Sequence, residues 1–210
     1  MPGCFITLEG GEGSGKSTQV ERLERRLRAR GFDPLVTREP GGTPLAERVR
    51  DVLLDPELAP GALAEALLVE AARADLVARR IAPALAEGRV VVCDRYTDST
   101  LAYQGGGRGL DKSALATLNA LATGGLRPDL TLLFDLDEHE GLKRRAAAAG
   151  AVNRLDREPP EFHRRVRQRF LDLAHAEPAR FVILDATLDA ARLEEHVWQA
   201  VEPRLAAARR

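Results

Sequence analysis

Residues 10–17 have the types and spacing of a loop that binds phosphate groups. They read Gly-Gly-Glu-Gly-Ser-Gly-Lys-Ser and match the pattern G-x-x-x-x-G-K-[ST] without a gap. The apolar run at 4–8 precedes them, and apolar residues at helical spacing follow. A strand, the loop and a helix in this order place backbone N–H groups around phosphate oxygens at a helix N-terminus. The alternative is a glycine-rich turn that begins an ordinary helix, with its lysine in solvent.

This loop predicts a site for ATP and Mg²⁺. In phosphate-loop kinases the lysine reaches the β- and γ-phosphates, and the serine hydroxyl binds Mg²⁺; here these are Lys16 and Ser17. Asp94 directly follows the apolar run 90–93, like the aspartate that supports Mg²⁺ in such proteins. Ser17 and Asp94 are therefore the candidate metal residues. The candidate ATP-binding residues are Gly10, Gly11, Glu12, Gly13, Ser14, Gly15, Lys16, Ser17 and Thr18.

Two arginines follow predicted strands at positions where a second phosphate group would bind. Arg38 lies in the segment 37–43, and Arg95 follows Asp94. The carboxyl ends of strands face the ligand crevice in a doubly wound sheet, and a guanidinium group binds phosphate through two parallel hydrogen bonds. For Arg38 the alternative is a capped turn in which it pairs with Glu39 or lies in solvent.

Polar side chains after Arg95 are suited to binding a nucleoside. Ser99 and Tyr103 are four residues apart and share one face of a predicted helix, and Gln104 is adjacent. A hydroxyl, a phenol and an amide together can hydrogen-bond the edge of a ring. For Tyr103 alone the alternative is a half-buried aromatic residue. Arg73, in the apolar stretch 61–87, either turns inward toward a ligand or lies in solvent.

A basic segment between the last two predicted strands is a candidate lid. It holds Lys143, Arg144, Arg145, Arg154 and Arg157. A loop that closes over ATP needs cations to neutralise charge on the transferred phosphoryl group. The alternative for most of these residues is a solvated basic face. We expect a lid at about 143–160 within one domain that spans residues 1–210.

The wider pattern predicts an α/β fold in which helices flank a five-stranded parallel sheet. The runs at 90–93 and 130–134 are apolar on both faces, as in parallel strands that helices cover on both sides. We expect strands at 4–9, 34–37, 90–93, 130–135 and 181–185. We expect helices at about 16–30, 44–55, 61–87, 98–104, 112–123, 138–149, 160–176 and 188–208.

Composition excludes several classes of function. The net charge of −1 gives no basic surface for nucleic acid. No apolar run approaches the roughly 20 residues that a membrane helix needs, and the N-terminus lacks the pattern of an export signal. Cys4 and Cys93 both fall in predicted strands, which is typical of reduced core residues. We therefore expect a cytoplasmic protein that binds neither nucleic acid nor membranes.

Together these motifs resemble those of the bacterial thymidylate kinase (dTMP kinase) family. The resemblance rests on TREPGGT at 37–43, DRYxxS at 94–99 and AYQGGGRG at 102–109. It implies the P-loop nucleoside monophosphate kinase fold, of the P-loop NTP hydrolase type, with a short lid. It also implies transfer of the γ-phosphoryl group of Mg-ATP to dTMP, which gives dTDP for dTTP biosynthesis, and a homodimer.

The resemblance also assigns residues to dTMP. Arg38 and Arg95 look like ligands of its phosphate, and Arg73 looks like the arginine that approaches thymine. Ser99, Tyr103 and Gln104 look like contacts to the nucleoside. Val69 departs from the family pattern, which usually has a phenylalanine that stacks on thymine. The implied substrate-binding residues are thus Arg38, Val69, Arg73, Arg95, Ser99, Tyr103 and Gln104.

The source of the catalytic arginine also follows from the resemblance. Glu12 is an acid at a position where other members of the family have arginine, and members with an acid there usually supply the arginine from the lid. Arg154 matches that lid arginine best. The implied catalytic residues are therefore Glu12, Lys16, Arg95 and Arg154.

Two other classes of protein share the phosphate loop. A kinase for another nucleotide or for a nucleoside is the first, but a nucleoside acceptor has no phosphate for Arg38 and Arg95 to bind. A nucleotide-dependent switch or motor is the second. It needs switch or partner-sensing segments, which we do not find in the sequence.

Overall fold

Five apolar runs form the strands of one parallel sheet in the computed structural model, which describes residues 3–147 and 153–208. The lateral strand order is β2-β3-β1-β4-β5, and every adjacent pair is parallel. The predicted fold class is confirmed, and the strand ends differ from prediction by at most one residue. The strands are β1 (Cys4–Gly10), β2 (Leu35–Arg38), β3 (Val90–Asp94), β4 (Leu130–Asp135) and β5 (Phe181–Asp185).

Helices cover both faces of the sheet because each buries one apolar side. The first, for example, buries Val20, Leu23 and Leu27, which recur at helical spacing. Within the described part of the chain, none is long and apolar enough to cross a membrane. The helices are α1 (Lys16–Ala29), α2 (Pro44–Leu54), α3 (Ala62–Leu76), α4 (Ala82–Ala86), α5 (Thr97–Thr100), α6 (Lys112–Thr123), α7 (Glu138–Ala147), α8 (Pro160–Ala176) and α9 (Ala190–Ala208).

Two predicted helices are interrupted. The stretch 61–87 contains a π-helical turn, Val77–Ile81, between α3 and α4. Pro83 has no N–H and its ring crowds the carbonyl four residues earlier, so the helix widens just before it, and the Ala82 N–H bonds to the Val77 carbonyl instead. The other interrupted helix, predicted at 98–104, consists of α5 followed by the π-helical segment Leu101–Gly107.

Glycines let this second π-helical segment pack closely on α8. A Cβ atom at Gly107 would lie 2.4 Å from the Phe162 ring, and one at Gly106 would lie 2.8 Å from Arg169 Cβ. Tyr103, in the same segment, packs edge-on against Phe162 and Phe170. The glycines of the segment therefore fix where Tyr103 and its neighbour Gln104 stand.

The strand register brings three sequence motifs to one edge of the sheet. Asp94 is aligned with Leu8 of β1 on one side and with Arg38 of β2 on the other. The phosphate loop leaves β1 at the same edge. β1 lies between β3 and β4, and the connection from β3 to β4 passes from one side of β1 to the other. In parallel α/β sheets this switch point is where ligands bind.

The structure also bears on the predictions for the two cysteines and for the lid. Cys4 and Cys93 are buried and are not paired with each other, as expected of core residues. The predicted lid at 143–160 contains the end of α7 and a 3₁₀ turn, Leu155–Arg157. Its residues 148–152, with the predicted helix end at 149, lie outside the described residues.

Candidate active site

The phosphate loop joins β1 to α1 as the sequence predicts. Gly13 and Gly15 have φ angles of 66° and 85°, which residues with a side chain rarely adopt. A Cβ atom at Gly13 would also lie 2.0 Å from the carbonyl oxygen of Gly141 on α7. The loop is therefore shaped by its glycines, and it packs directly against the helix that leads into the lid.

Lys16 is the cation of this loop. Its Nζ donates to the carbonyl oxygens of Gly10 (3.0 Å) and Gly11 (2.7 Å) and to Ser14 Oγ (3.1 Å). Burial, and then the positive charge of Arg95, lower the pKa of Lys16 to about 8. The ammonium group is still protonated at neutral pH, and the contacts that hold it are weak enough for a phosphate to replace them.

The pocket above the loop is suited to a polyphosphate. It is lined by the loop residues from Glu12 to Thr18, which carry the convergent backbone N–H groups of the motif. Cations from four other segments of the chain complete it. These are Arg38, Arg50, Arg95, Arg144 and Arg145.

The residues predicted to bind Mg²⁺ fit that ion. Ser17 Oγ donates to Asp94 Oδ2 at 3.2 Å, so the hydroxyl and the carboxylate converge on one point. Asp94 Oδ1 is buried without a hydrogen-bond partner among the described residues. Mg²⁺ prefers few protein oxygens, with water and substrate phosphates as its other ligands. The pair Ser17 and Asp94 supplies such a donor set.

A second pocket, the nucleoside pocket, adjoins this first one, the phosphate pocket. Of the seven predicted substrate-binding residues, Arg38 lines only the first pocket. The residues Glu12, Arg50 and Arg95 line both, so the two pockets meet at these side chains. The other predicted residues line the second pocket together with Arg95, and they are Val69, Arg73, Ser99, Tyr103 and Gln104.

Arg95 stands at the junction in an unusual backbone conformation. Its φ of 71° makes it the one described residue other than glycine with a positive φ. Its Nη1 donates to the Gly10 carbonyl oxygen and its Nη2 to Glu12 Oε1, both at 2.9 Å. Its guanidinium carbon lies 4.9 Å from the centre of the Tyr103 ring. Strain of this kind persists where the surroundings impose it, and it is common at active sites.

Glu12 links Arg95 to Tyr103. The same Oε1 atom accepts from the Tyr103 hydroxyl at 2.8 Å. Burial alone would raise the pKa of Glu12, but the positive charges of Arg95 and Lys16 outweigh it and lower the pKa to about 2. The carboxylate is therefore ionised, and it orients both a phosphate-binding and a nucleoside-binding candidate.

Glu9, at the end of β1, holds the turn that follows Arg95. Its Oε1 accepts from the Tyr96 N–H at 2.8 Å, and its Oε2 accepts from Ser99 Oγ at 2.6 Å. The side chain is fully buried. Burial raises the pKa of Glu9 to about 8, and the negative charge of Asp98 adds to the effect.

We expect the free energy of unfolding to depend on pH because Glu9 binds its proton more tightly in the folded state than in the unfolded state. Below its usual value of 4.5 both the folded and the unfolded state bind the proton, and up to about 8 only the folded state keeps it. The free energy of unfolding should therefore fall across this window. Glu9→Gln keeps an oxygen to accept from the Tyr96 N–H and places an NH₂ group that can donate to Ser99 Oγ, without the titration, so urea unfolding should show a smaller fall for the variant. Parallel curves for the two proteins would contradict the assignment.

Arg73 turns inward, as one of the two sequence alternatives proposed, and is 1% exposed. Its Nε donates to Glu39 Oε2 at 2.8 Å, and its Nη1 to Glu70 Oε1 at 2.6 Å. Further bonds go to Thr100, Asn119 and the Tyr96 carbonyl. The solvated alternative is wrong. The predicted role of Arg73 near thymine stays a prediction, because protein acceptors surround its guanidinium group.

Arg38 is exposed and pairs with a residue that the sequence reasoning did not consider. Its Nη2 donates to Glu47 Oε2 at 2.9 Å, and the other oxygen of Glu47 accepts from the Gly42 N–H. Glu39, the predicted alternative partner, instead binds Arg73. The Glu47 contact holds Arg38 at the rim of the phosphate pocket.

Arg50 is a candidate that the sequence reasoning missed. Its Nη1 donates to the Pro40 carbonyl oxygen at 3.0 Å, and it lines both pockets. Its position on the helix could have identified it from the sequence. On α2 it shares a face with Ala46 and Leu53, which are buried, and a charged residue on a buried helical face needs a reason such as a ligand.

The basic residues of the lid separate into three groups. Arg144 and Arg145 of α7 line the phosphate pocket, whereas Lys143 and Arg157 are exposed. Arg154 is held elsewhere. Its Nη2 donates to Glu65 Oε2 at 2.5 Å and its Nε to the Leu53 carbonyl oxygen at 3.1 Å. In this conformation Arg154 is not among the described residues that line the phosphate pocket.

Comparison with known proteins identifies the family of this arrangement. The family model described as thymidylate kinase matches residues 8–197. The thymidylate kinase of Deinococcus radiodurans is 57% identical over 96% of this chain and 98% of its own length. That of Pseudomonas fluorescens is 54% identical over 98% of this chain and 96% of its own length.

A solved structure shows the same likeness in three dimensions. The thymidylate kinase of Ehrlichia chaffeensis superposes with a TM-score of 0.79 at 34% identity, covering 96% of this chain and all of that one. The residues 8–197 that the family model matches include the phosphate loop, the residues that line both pockets and the lid segment. The chain therefore belongs to the thymidylate kinase family.

Proposed function

We propose that the protein transfers the γ-phosphoryl group of ATP to dTMP and releases dTDP and ADP, a step in dTTP synthesis. The junction of the two pockets carries this proposal. Glu12, Arg50 and Arg95 line both the phosphate pocket and the nucleoside pocket. A donor phosphate and an acceptor phosphate bound on either side of these residues would meet there. In-line transfer between two phosphates requires this arrangement.

The chain's own residues supply positioning and charge. Lys16 would exchange its loop carbonyl contacts for the β- and γ-phosphates, and the loop N–H groups would hold the remaining oxygens. Arg38, Arg50 and Arg95 would hold the acceptor phosphate, with Glu12 fixing the orientation of Arg95. Mg²⁺ held by Ser17 and Asp94 would neutralise charge on the donor phosphates.

The nucleoside pocket would hold the base and sugar. Ser99, Tyr103 and Gln104 supply hydroxyl, phenol and amide groups on its wall, and Val69 supplies an apolar contact. Valine has no ring to stack on thymine, so the base would be held mainly by hydrogen bonds and shape. Arg73 contributes by fixing Glu39 and the carbonyl of Tyr96 beside this wall.

The lid would supply a further cation to the transferred group. Arg145 lines the phosphate pocket, and its Nε donates to Asp156 Oδ2 at 3.1 Å. Arg154 is the residue that the family resemblance implies, yet its guanidinium group pairs with Glu65. Because Arg145 lines the phosphate pocket and Arg154 does not, we favour Arg145 over Arg154 for the first contact with the phosphoryl group.

We expect Arg145→Ala to lower kcat by roughly a hundredfold, as the loss of one transition-state donor does, with the Kd of ATP nearly unchanged. Single-turnover kinetics and ATP titration would measure the two quantities. Arg157→Ala, in the same segment but exposed, is the matched control. If Arg154→Ala loses kcat and Arg145→Ala keeps it, the role belongs to Arg154.

An acceptor panel tests the proposed function. ADP release from ATP should be fastest with dTMP among the deoxynucleoside monophosphates, and absent with thymidine, because thymidine has no phosphate for the arginines to bind. Rapid phosphorylation of thymidine would favour a nucleoside kinase. Acceptor-independent release of phosphate would favour a nucleotide-dependent switch.

We also propose that two copies of this cytoplasmic enzyme form a homodimer, as the family resemblance implies. Leu63 and Leu67 lie one turn apart on α3 and are 59% and 48% exposed. Leu121 of the neighbouring α6 is 76% exposed. Such a patch is typical of an interface, and light scattering should give twice the mass of the chain.

A further inference from the structure

Glu65 of α3 has no role in the proposed reaction, yet it is buried at the centre of a polar cluster. Its side chain is 2% exposed. Oε1 accepts from Gln104 Nε2 at 2.8 Å and from Arg108 Nε at 3.2 Å. Oε2 accepts from Arg108 Nη2 at 3.0 Å and from Arg154 Nη2 at 2.5 Å. One carboxylate thus receives four donors.

Among the described residues of the cluster, only Gln104 itself lines the nucleoside pocket. Gln104 lines that pocket and is 4% exposed. Glu65, Arg108 and Arg154 are not among its described lining residues. Arg154 is flanked by Asn153 and Leu155, which do line that pocket, so an effect of Glu65 that passes through the Gln104 amide has to be separated from one that passes through Arg154.

Glu65 decides which way that amide points. An ionised carboxylate has no hydrogen to donate, and its two arginine partners keep Glu65 ionised. The Gln104 group next to it must therefore be the NH₂. The amide oxygen is then the atom left for a ligand, and no described residue donates to it. An amide turned the other way would place two carbonyl-type oxygens against each other.

We propose that Glu65 is a specificity-determining residue that fixes Gln104 as a hydrogen-bond acceptor for the N3–H of thymine. The inference rests on the proposed function and deepens it. Thymine and uracil carry a hydrogen on N3, whereas cytosine N3 is an acceptor. A fixed acceptor in a buried site accepts the first two bases and rejects the third, because cytosine leaves two acceptors facing each other.

Glu65→Gln is the variant that tests this orientation. Arg108 and Arg154 can only donate, so they would take the single oxygen of the new amide. Its NH₂ group would then face Gln104, which must turn its own oxygen inward and its NH₂ toward the pocket. The NH₂ group of Gln104 would then face the N3–H of thymine, donor against donor, whereas it could donate a hydrogen bond to N3 of cytosine.

We expect Glu65→Gln to lower the ratio of kcat/KM for dTMP to kcat/KM for dCMP by roughly tenfold to a hundredfold, the effect of one mispaired buried group. Calorimetric Kd values for dTMP and dCMP without ATP should change in the same ratio. A general loss of structure would lower kcat/KM for both nucleotides by the same factor and leave their ratio constant.

Glu158→Gln is the matched control. Glu158 Oε1 pairs with Arg108 Nη1 at 2.7 Å and has no described contact with Gln104. It removes the same charge from the same cluster, and the dTMP:dCMP ratio should stay at the wild-type value. A fall as large as that of Glu65→Gln would overturn the proposal, since loss of charge alone would then explain it.

Gln104→Met removes the amide and shows whether Glu65 acts through it. In that background Glu65→Gln should no longer change the ratio, because the two residues act as a unit. Gln104→Met alone also serves if Glu65→Gln does not fold: an unchanged ratio there would overturn the proposal. A wild-type protein that does not phosphorylate dTMP would instead overturn the proposed function.

Discussion

Lys16→Ala is expected to lower kcat by roughly a thousandfold or more, as the removal of a preorganised charge from phosphoryl transfer does. Lys16 is the only cation within the phosphate loop, and its ammonium group already lies on the loop, bonded to Gly10 and Gly11. Steady-state and single-turnover rates with dTMP and ATP would measure the loss.

Lys112→Ala is the matched control for this prediction. Lys112 is the exposed first residue of α6, so its removal tests the loss of a lysine without loss of a phosphate contact. Both variants should unfold at temperatures near that of the wild type. More than a tenth of the wild-type kcat in a folded Lys16→Ala protein would contradict the phosphate-loop assignment.

Arg95→Ala is expected to raise the KM for dTMP and lower kcat together, with a loss in kcat/KM of roughly a hundredfold or more, because the side chain both binds and orients the acceptor. Its guanidinium group touches the phosphate loop at Gly10 and is aimed by Glu12. Initial rates over a range of dTMP concentrations would separate the two effects.

The control for Arg95 lies at the other end of the same strand. Arg89 precedes β3, and its Nη2 pairs with Asp33 at the surface. Arg89→Ala should leave both kinetic constants unchanged. An unchanged KM for dTMP in Arg95→Ala, or measurable phosphorylation of thymidine by the wild type, would show that Arg95 does not select a monophosphate acceptor.

The fold followed from local patterns because the three central strands, β1, β3 and β4, are short apolar runs that are buried on both faces. The five strands place Gly10, Arg38 and Asp94 at one edge once the sheet is parallel. The π-helical segments were not predictable in the same way. Val77–Ile81 depends on Pro83, and the segment that carries Tyr103 and Gln104 depends on close packing between its glycines and Phe162.

The roles of Lys16, Ser17 and Asp94 could be predicted because each stands at a fixed position in a known motif. The contacts of a side chain could not be predicted where its partner is distant in sequence. Arg154 is separated by 89 residues from Glu65, and Arg73 by 34 residues from Glu39. A linear pattern shows the charge of such a residue but not its partner. Arg50 was missed for a different reason, since it lies on a helix outside every motif.

The transfer of label from [γ-³²P]ATP tests the central claim most directly. With wild-type protein, Mg²⁺ and dTMP, we expect the label to appear in dTDP, one per dTMP consumed, and we expect omission of dTMP to leave it in ATP. Closure around two bound phosphates excludes water as an acceptor. Label that appears in inorganic phosphate at the same rate with and without dTMP would contradict the account.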